Sequence, residues 1–172
     1  MLVALVALAA FGLVLVLARR LRDVTERVNK FLPVSDGGLP DPGTPVPEFA
    51  AATADGTAVS HADLAGPTRL FAMLTTDCSS CHDQVPALRD LAPDHGIRPI
   101  VLVIGPAEQR TEMAESLAGH AVIIEEAEGG PIAEAFEIHE FPAVLAVSDG
   151  VIRMAGHGLN GVLASLEQPA QA

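Results

Sequence analysis

Thr75-Thr76-Asp77-Cys78-Ser79-Ser80-Cys81-His82 holds the only two cysteines of the 172-residue chain and stands where an apolar run gives way to an amphipathic one. Before it, Leu70-Phe71-Ala72-Met73-Leu74 predicts a short buried strand. After it, Val85, Leu88, Leu91 and Ala92 recur at helical spacing. Cys78 therefore falls at a helix N-terminus, where free backbone N–H groups and the positive end of the helix dipole favour a thiolate. Two intervening residues bring both sulfurs onto the first helical turn, a spacing suited to thiol-disulfide exchange. Cys78 is the candidate nucleophile, and Cys81, one turn in and more buried, the candidate resolving thiol.

The chain has room for one ordinary domain and an appendage. Two cysteines cannot form a disulfide framework, so stability must come from the core. Trp and Tyr are absent, which leaves Phe, Leu, Ile and Val to fill it. The net charge is −12, yet Arg19, Arg20, Arg22, Arg27 and Lys30 are half of the ten basic residues. Everything downstream is strongly acidic, which excludes a nucleic-acid partner, since binding phosphates needs a basic face.

Residues 2–18 are uninterrupted apolar residues, close to the shortest length that spans a bilayer as a helix. They end in Arg19-Arg20 rather than a small-residue cleavage site, so a retained anchor is expected over a cleaved leader. Leu21, Val24, Val28 and Phe31 or Leu32 continue one apolar face, which completes an anchor segment over residues 1–32. Residues 33–47 carry five prolines and three glycines, the composition of an extended, poorly packed linker. A domain over residues 48–168 follows.

That domain opens with a hairpin, Phe49 to Thr53 and Thr57 to Ser60, turning at Asp55-Gly56. A single helical turn at His61 to Ala65, the strand from Arg69, the cysteine pair and its helix come next. Arg98 to Ile104 is a continuous apolar run, the pattern of a strand covered on both faces. A helix to Leu117, a strand at 120–125 and a short helix at 131–137 precede a strand at 141–147. Asp149-Gly150 turns that strand into 151–155, and a helix at 160–166 ends the domain. Strands alternating with helices and closing in a hairpin indicate an α/β fold, a mixed sheet with helices on both faces. Strand order does not follow from local pattern.

Two other chemistries share these residues. Cys78-Ser79-Ser80-Cys81-His82 is also the attachment motif of c-type haem, with two thioethers and a proximal imidazole. Against it, haem-c domains are usually small and helical, whereas this motif lies between a strand and a helix in an α/β chain. A closed zinc site needs four ligands, and no second pair accompanies the cysteines, so no metal is expected. His82 is read as a surface residue or as a cation that lowers a cysteine pKa. His139 is assigned to a loop, Met73 and Met113 to the core, and Glu125, Glu126 and Glu128 to a solvated turn.

Taken together, these residues resemble the membrane-anchored thioredoxin-like proteins of the TlpA and MauD type. The resemblance spans residues 44–167. It rests on Pro47-Glu48-Phe49, the Asp55-Gly56 hairpin followed by Asp63-Leu64-Ala65-Gly66, the Cys78-Ser79-Ser80-Cys81 motif, Pro86 in the following helix, and Phe141-Pro142. It implies a thioredoxin-like fold with an N-terminal hairpin extension and thiol-disulfide oxidoreductase activity without a cofactor. It also implies a cis Pro142 opposite the cysteines, with the backbone of Phe141 free to pair with an extended substrate. Partners would be proteins bearing thiols or disulfides, a membrane or soluble thiol redox partner, and the lipid bilayer through residues 2–18.

Three departures stand out. Asp77 occupies a place where many relatives have an aromatic, and its carboxylate is expected to raise the Cys78 pKa. Ala72 stands where thioredoxins place a buried acid. Ser79-Ser80 replaces the dipeptides that tune reduction potential. These leave open an alternative, a tethered assembly or binding factor with the same fold and little redox activity. The basic residues after the span would hold the domain in the cytoplasm, whereas the resemblance implies an extracytoplasmic domain on a single-pass anchor.

Overall fold

The computed structural model of the chain describes residues 38–166. The expected anchor at residues 2–18 lies outside the described residues. Among the described residues no helix is long and apolar enough to cross a membrane.

Strand β3 (Arg69–Thr75) lies at the centre of a five-stranded sheet, and its neighbours explain its sequence. On one side it pairs in parallel with β4 (Ile100–Ile104), which pairs in parallel with β5 (Val122–Glu126). On the other it pairs antiparallel with β6 (Ala143–Ser148), followed by β7 (Val151–Gly156). Helices cover both faces, so Leu70 to Leu74 and the whole of β4 are buried without alternation. The order β5-β4-β3-β6-β7 is the tertiary information that local pattern could not supply.

Alternate side chains of β3 feed two separate cores. Phe71 and Met73 join Phe49, Val59, Leu64 and Phe136 on one face, with Phe49 and Phe71 stacked at 5.8 Å. The hairpin of β1 (Ala50–Ala52) and β2 (Ala58–Ser60) and the short helix α3 (Pro131–Ala135) close this face. Leu70, Ala72 and Leu74 point to the opposite face. There they meet Leu88 and Leu91 of α1 (Ser79–His95), Met113 and Leu117 of α2 (Ala107–Leu117), and Leu159 and Val162 of α4 (Leu159–Leu166). Between β6 and β7, Asp149 and Gly150 both adopt positive φ, 54° and 71°, the backbone of a two-residue hairpin turn whose twist suits the flanking strands.

Two expectations are corrected. Part of the Pro-rich segment is not a poorly packed linker. The Gly43 N–H bonds the Ile152 carbonyl at 2.7 Å, the Ile152 N–H returns to Thr44 at 2.9 Å, and the Val46 N–H bonds Gly150 at 2.9 Å. Residues 43–46 thus run along the free edge of β7, with Leu39 and Val46 packed on the core. Pro45 and Pro47 flank Val46, so the missing donors fall where the edge needs none.

The acidic run is not a solvated turn either, because Glu126 is buried, 8% exposed. Its Oε1 accepts the Ile132 N–H at 2.8 Å and its Oε2 the Ala133 N–H at 3.2 Å, so one carboxylate holds two otherwise orphaned donors of α3. Gly130 makes room for it: a Cβ there would lie 2.0 Å from the Glu126 Cγ. Glu125 pairs with Arg110 at 3.6 Å, and of the three only Glu128 is exposed. Replacing Glu126 by Gln leaves an amide NH₂ facing a backbone donor. The E126Q chain is expected to lose about 1–3 kcal/mol, seen as a lower urea midpoint at unchanged slope. An unchanged midpoint would refute the capping role.

Candidate active site

The turn from β3 into α1 places the two sulfurs. Cys78 precedes the helix, and its carbonyl accepts the N–H groups of Cys81 (3.0 Å) and His82 (3.2 Å). It is thus the residue that opens α1, with its side chain over the unpaired N–H groups of the first turn. Its sulfur lies 3.0 Å from the Ser80 Oγ. Cys78 is partly buried, Ser79 and Ser80 are exposed, and Cys81 is 0% exposed among Ala72, Leu74 and Leu88. Both cysteines are free thiols.

These environments drive the two pKa values apart. Burial pushes the Cys78 thiol up, but the Cys81 thiol, the Ser80 hydroxyl and the backbone N–H groups of both residues bond its sulfur and leave it below the ordinary value. Burial pushes Cys81 up to about 12, reinforced by Cys78, while bonds from Thr75 pull the other way. The Thr75 Oγ1, 3.8 Å from the Cys81 sulfur, is a polar contact in an otherwise apolar setting. Ala72 is fully buried at the expected place and carries no acid.

The Phe141-Pro142 bond is cis, and the Cys78 thiol donates to the Phe141 carbonyl at 3.6 Å. The structure therefore brings Cys78, Cys81, Ser80, Phe141 and Pro142 together. Ser79 faces solvent. His82 is exposed, and its Nε2–H donates to the Thr76 carbonyl at 2.9 Å. Asp77 is exposed as well, so solvent screens it. The expected upward pull of Asp77 on Cys78 is overturned, since the hydrogen bonds of the helix start decide the direction.

Sequence reading missed His157. Its Nδ1–H donates to the Pro142 carbonyl at 3.0 Å, and its Nε2 lies 3.7 Å from Glu140. It also missed Gln84, whose Oε1 accepts the Leu159 N–H at 2.9 Å and ties α1 to the start of α4. Both contacts join segments far apart in the chain, and only the glycines flanking His157 hint at a tight approach. Among the described residues no group of three or more His, Cys, Asp or Glu could hold a metal ion.

A central strand running into a cysteine-led helix, opposite a cis-proline strand, defines the thioredoxin-like fold. Residues 42–148 match the AhpC/TSA family, and the chain belongs to that family. The fold is similar to the thioredoxin domain of a thiol-disulfide oxidoreductase from Bacteroides vulgatus, at 18% identity and a TM-score of 0.63 over 74% of this chain and 96% of that one. It is also similar to a thio-disulfide isomerase from Thermus thermophilus (21%, 0.58, 74% and 95%). A third is a secreted Mycobacterium tuberculosis disulfide oxidoreductase homologous to E. coli DsbE (16%, 0.56, 64% and 84%). No curated protein matches the chain.

The split between the sulfurs has a direct readout. In the native reduced protein, iodoacetamide should modify Cys78 alone, with a pH midpoint below that of an ordinary cysteine, and Ser80→Ala should move the midpoint up. Cys81 should react only after unfolding. Because the folded state keeps the Cys81 proton that the unfolded chain sheds, the reduced protein should lose stability as pH rises from about 9 towards 12. Equal alkylation of both thiols in the native protein would contradict this assignment.

Proposed function

We propose that the protein is a thiol-disulfide oxidoreductase of the TlpA and MauD type. In this reading residues 2–18 tether it to a membrane, and its domain lies on the extracytoplasmic side. The observation that carries the proposal is the pairing of a partly exposed, thiolate-favouring Cys78 with a buried, protonated Cys81 beside the Phe141-Pro142 backbone.

The chemistry follows from that asymmetry. The Cys78 thiolate attacks one sulfur of a partner disulfide, forming a mixed disulfide and expelling the other partner sulfur as a thiolate. The partner segment lies extended along Phe141 and Pro142, as β-strand addition requires. Cys81 then attacks the Cys78 sulfur, its proton passing to the departing partner thiolate. The sulfur expelled first takes its proton from water, so the partner leaves as a dithiol, two electrons richer, and Cys78 and Cys81 are left as a disulfide. Every step is reversible, so the relative potentials of partner and protein set the direction. No cofactor enters. Haem attachment is disfavoured because the Cys81 sulfur is buried beneath the helix, where a vinyl group has no access.

The resolving step gives the test. In cells producing the full chain, Cys81→Ser should accumulate a partner protein joined through Cys78, released by dithiothreitol and absent from the Cys78→Ser/Cys81→Ser double variant. A membrane-impermeant maleimide should label Cys78 before lysis. Failure to trap any adduct would favour the tethered binding factor without redox activity, and labelling only after lysis would place the domain inside.

A further inference from the structure

Asp77, which departs from the aromatic of many relatives and does not set the direction of the Cys78 pKa shift, lines a groove that no other feature of the site explains. The groove has a volume of about 580 Å³ and runs between the first turns of α1 and the Gln109, Glu112, Met113 and Ser116 side of α2, next to the residue that precedes Cys78. Its apolar lining includes Val85 and the buried Met113. Asp77 and Glu112 also line it, both exposed and neither held by a hydrogen bond or ion pair among the described residues. No lysine or arginine lines the groove. Arg110, the one cation of α2, is turned to Glu125 and the Gly105 carbonyl. The His82 Nε2–H is committed to the Thr76 carbonyl, whose own Oγ1–H bonds the Gln109 Oε1 at 2.9 Å.

We propose that this groove is a subsite for a cationic side chain, lysine or arginine, flanking the reactive cysteine of the substrate polypeptide. The geometry matches such a residue in both of its parts. An alkyl stem needs an apolar wall, which Val85 and Met113 provide, and a charged head needs carboxylates kept in water, which Asp77 and Glu112 provide. A substrate whose sulfur is joined to Cys78 is held next to Asp77, the residue that precedes Cys78 in the chain and lines the groove. Charge complementarity extends beyond the groove: residues 38–166 contain five arginines and no lysine against eighteen carboxylates. The subsite rests on the exchange reading above, and it adds the class of substrate.

The test uses the reduced full chain and disulfides of short cysteine peptides that differ only in one flanking residue, Lys, Ala or Glu. Stopped-flow rates should rank Lys above Ala above Glu, with Lys favoured about fivefold over Ala at low salt, the size expected of an exposed ion pair, and near parity in about 0.5 M salt. Glu112→Gln should bring the Lys to Ala ratio towards one, while Glu134→Gln, a surface carboxylate on the far face, should leave it alone. Equal rates for the three peptides would overturn the subsite and leave the exchange reading intact. A ratio that falls as much in Glu134→Gln would assign the preference to overall charge and overturn it too. No reduction of any peptide would instead sink the exchange reading.

Discussion

The hydrogen bonds that start α1 are the constraint on which the site depends. The Cys78 carbonyl accepts from Cys81 and His82, and this alone commits the chain to a helix at the point where β3 ends. The Ser80 N–H has no such carbonyl acceptor, and the Cys78 sulfur meets it together with the Cys81 N–H. A thiolate there gains what a thiol cannot, which is why burial fails to raise Cys78 as it raises its neighbour. The strand that delivers the turn is central and buried from Leu70 to Leu74, so the sulfur's position is fixed by the sheet rather than by a mobile loop.

The contrast between the two cysteines is a matter of three residues along one helix. Cys81 lies one turn in and faces the layer formed by Ala72, Leu74 and Leu88, where an ion finds no solvation. An acid at Ala72 would have shared that proton; here the nearby hydroxyl of Thr75 is the polar contact. Attack and resolution are therefore separated by burial, without a dedicated base. On the opposite side of Cys78, His157 holds the Pro142 carbonyl and so fixes the backbone that a substrate strand would meet.

Much of this was legible from residues because it is local. The apolar run at Leu70 to Leu74, the helical spacing of Val85, Leu88 and Leu91, and the Asp149-Gly150 turn each record a single element. The resemblance added the cis bond at Pro142, which no periodicity encodes. What stayed hidden depends on distant partners. Glu126 reads as one of three solvated acids until α3 folds back over it. Pro45 and Pro47 read as breakers until the edge of β7 supplies acceptors for Gly43 and for Val46 between the two prolines. Asp77 reads as a brake on Cys78 until the helix start is seen to outweigh a solvent-screened charge.

The central claim is that Cys78, and not Cys81, is the attacking sulfur of a working exchange centre. Its most direct measurement is the rate at which the reduced full chain consumes a small neutral disulfide, compared with its Cys78→Ser variant. The account predicts that the variant falls to the rate of buffer alone, because the remaining sulfur is buried and protonated. A Cys78→Ser variant that retained the rate of the unaltered protein would contradict it.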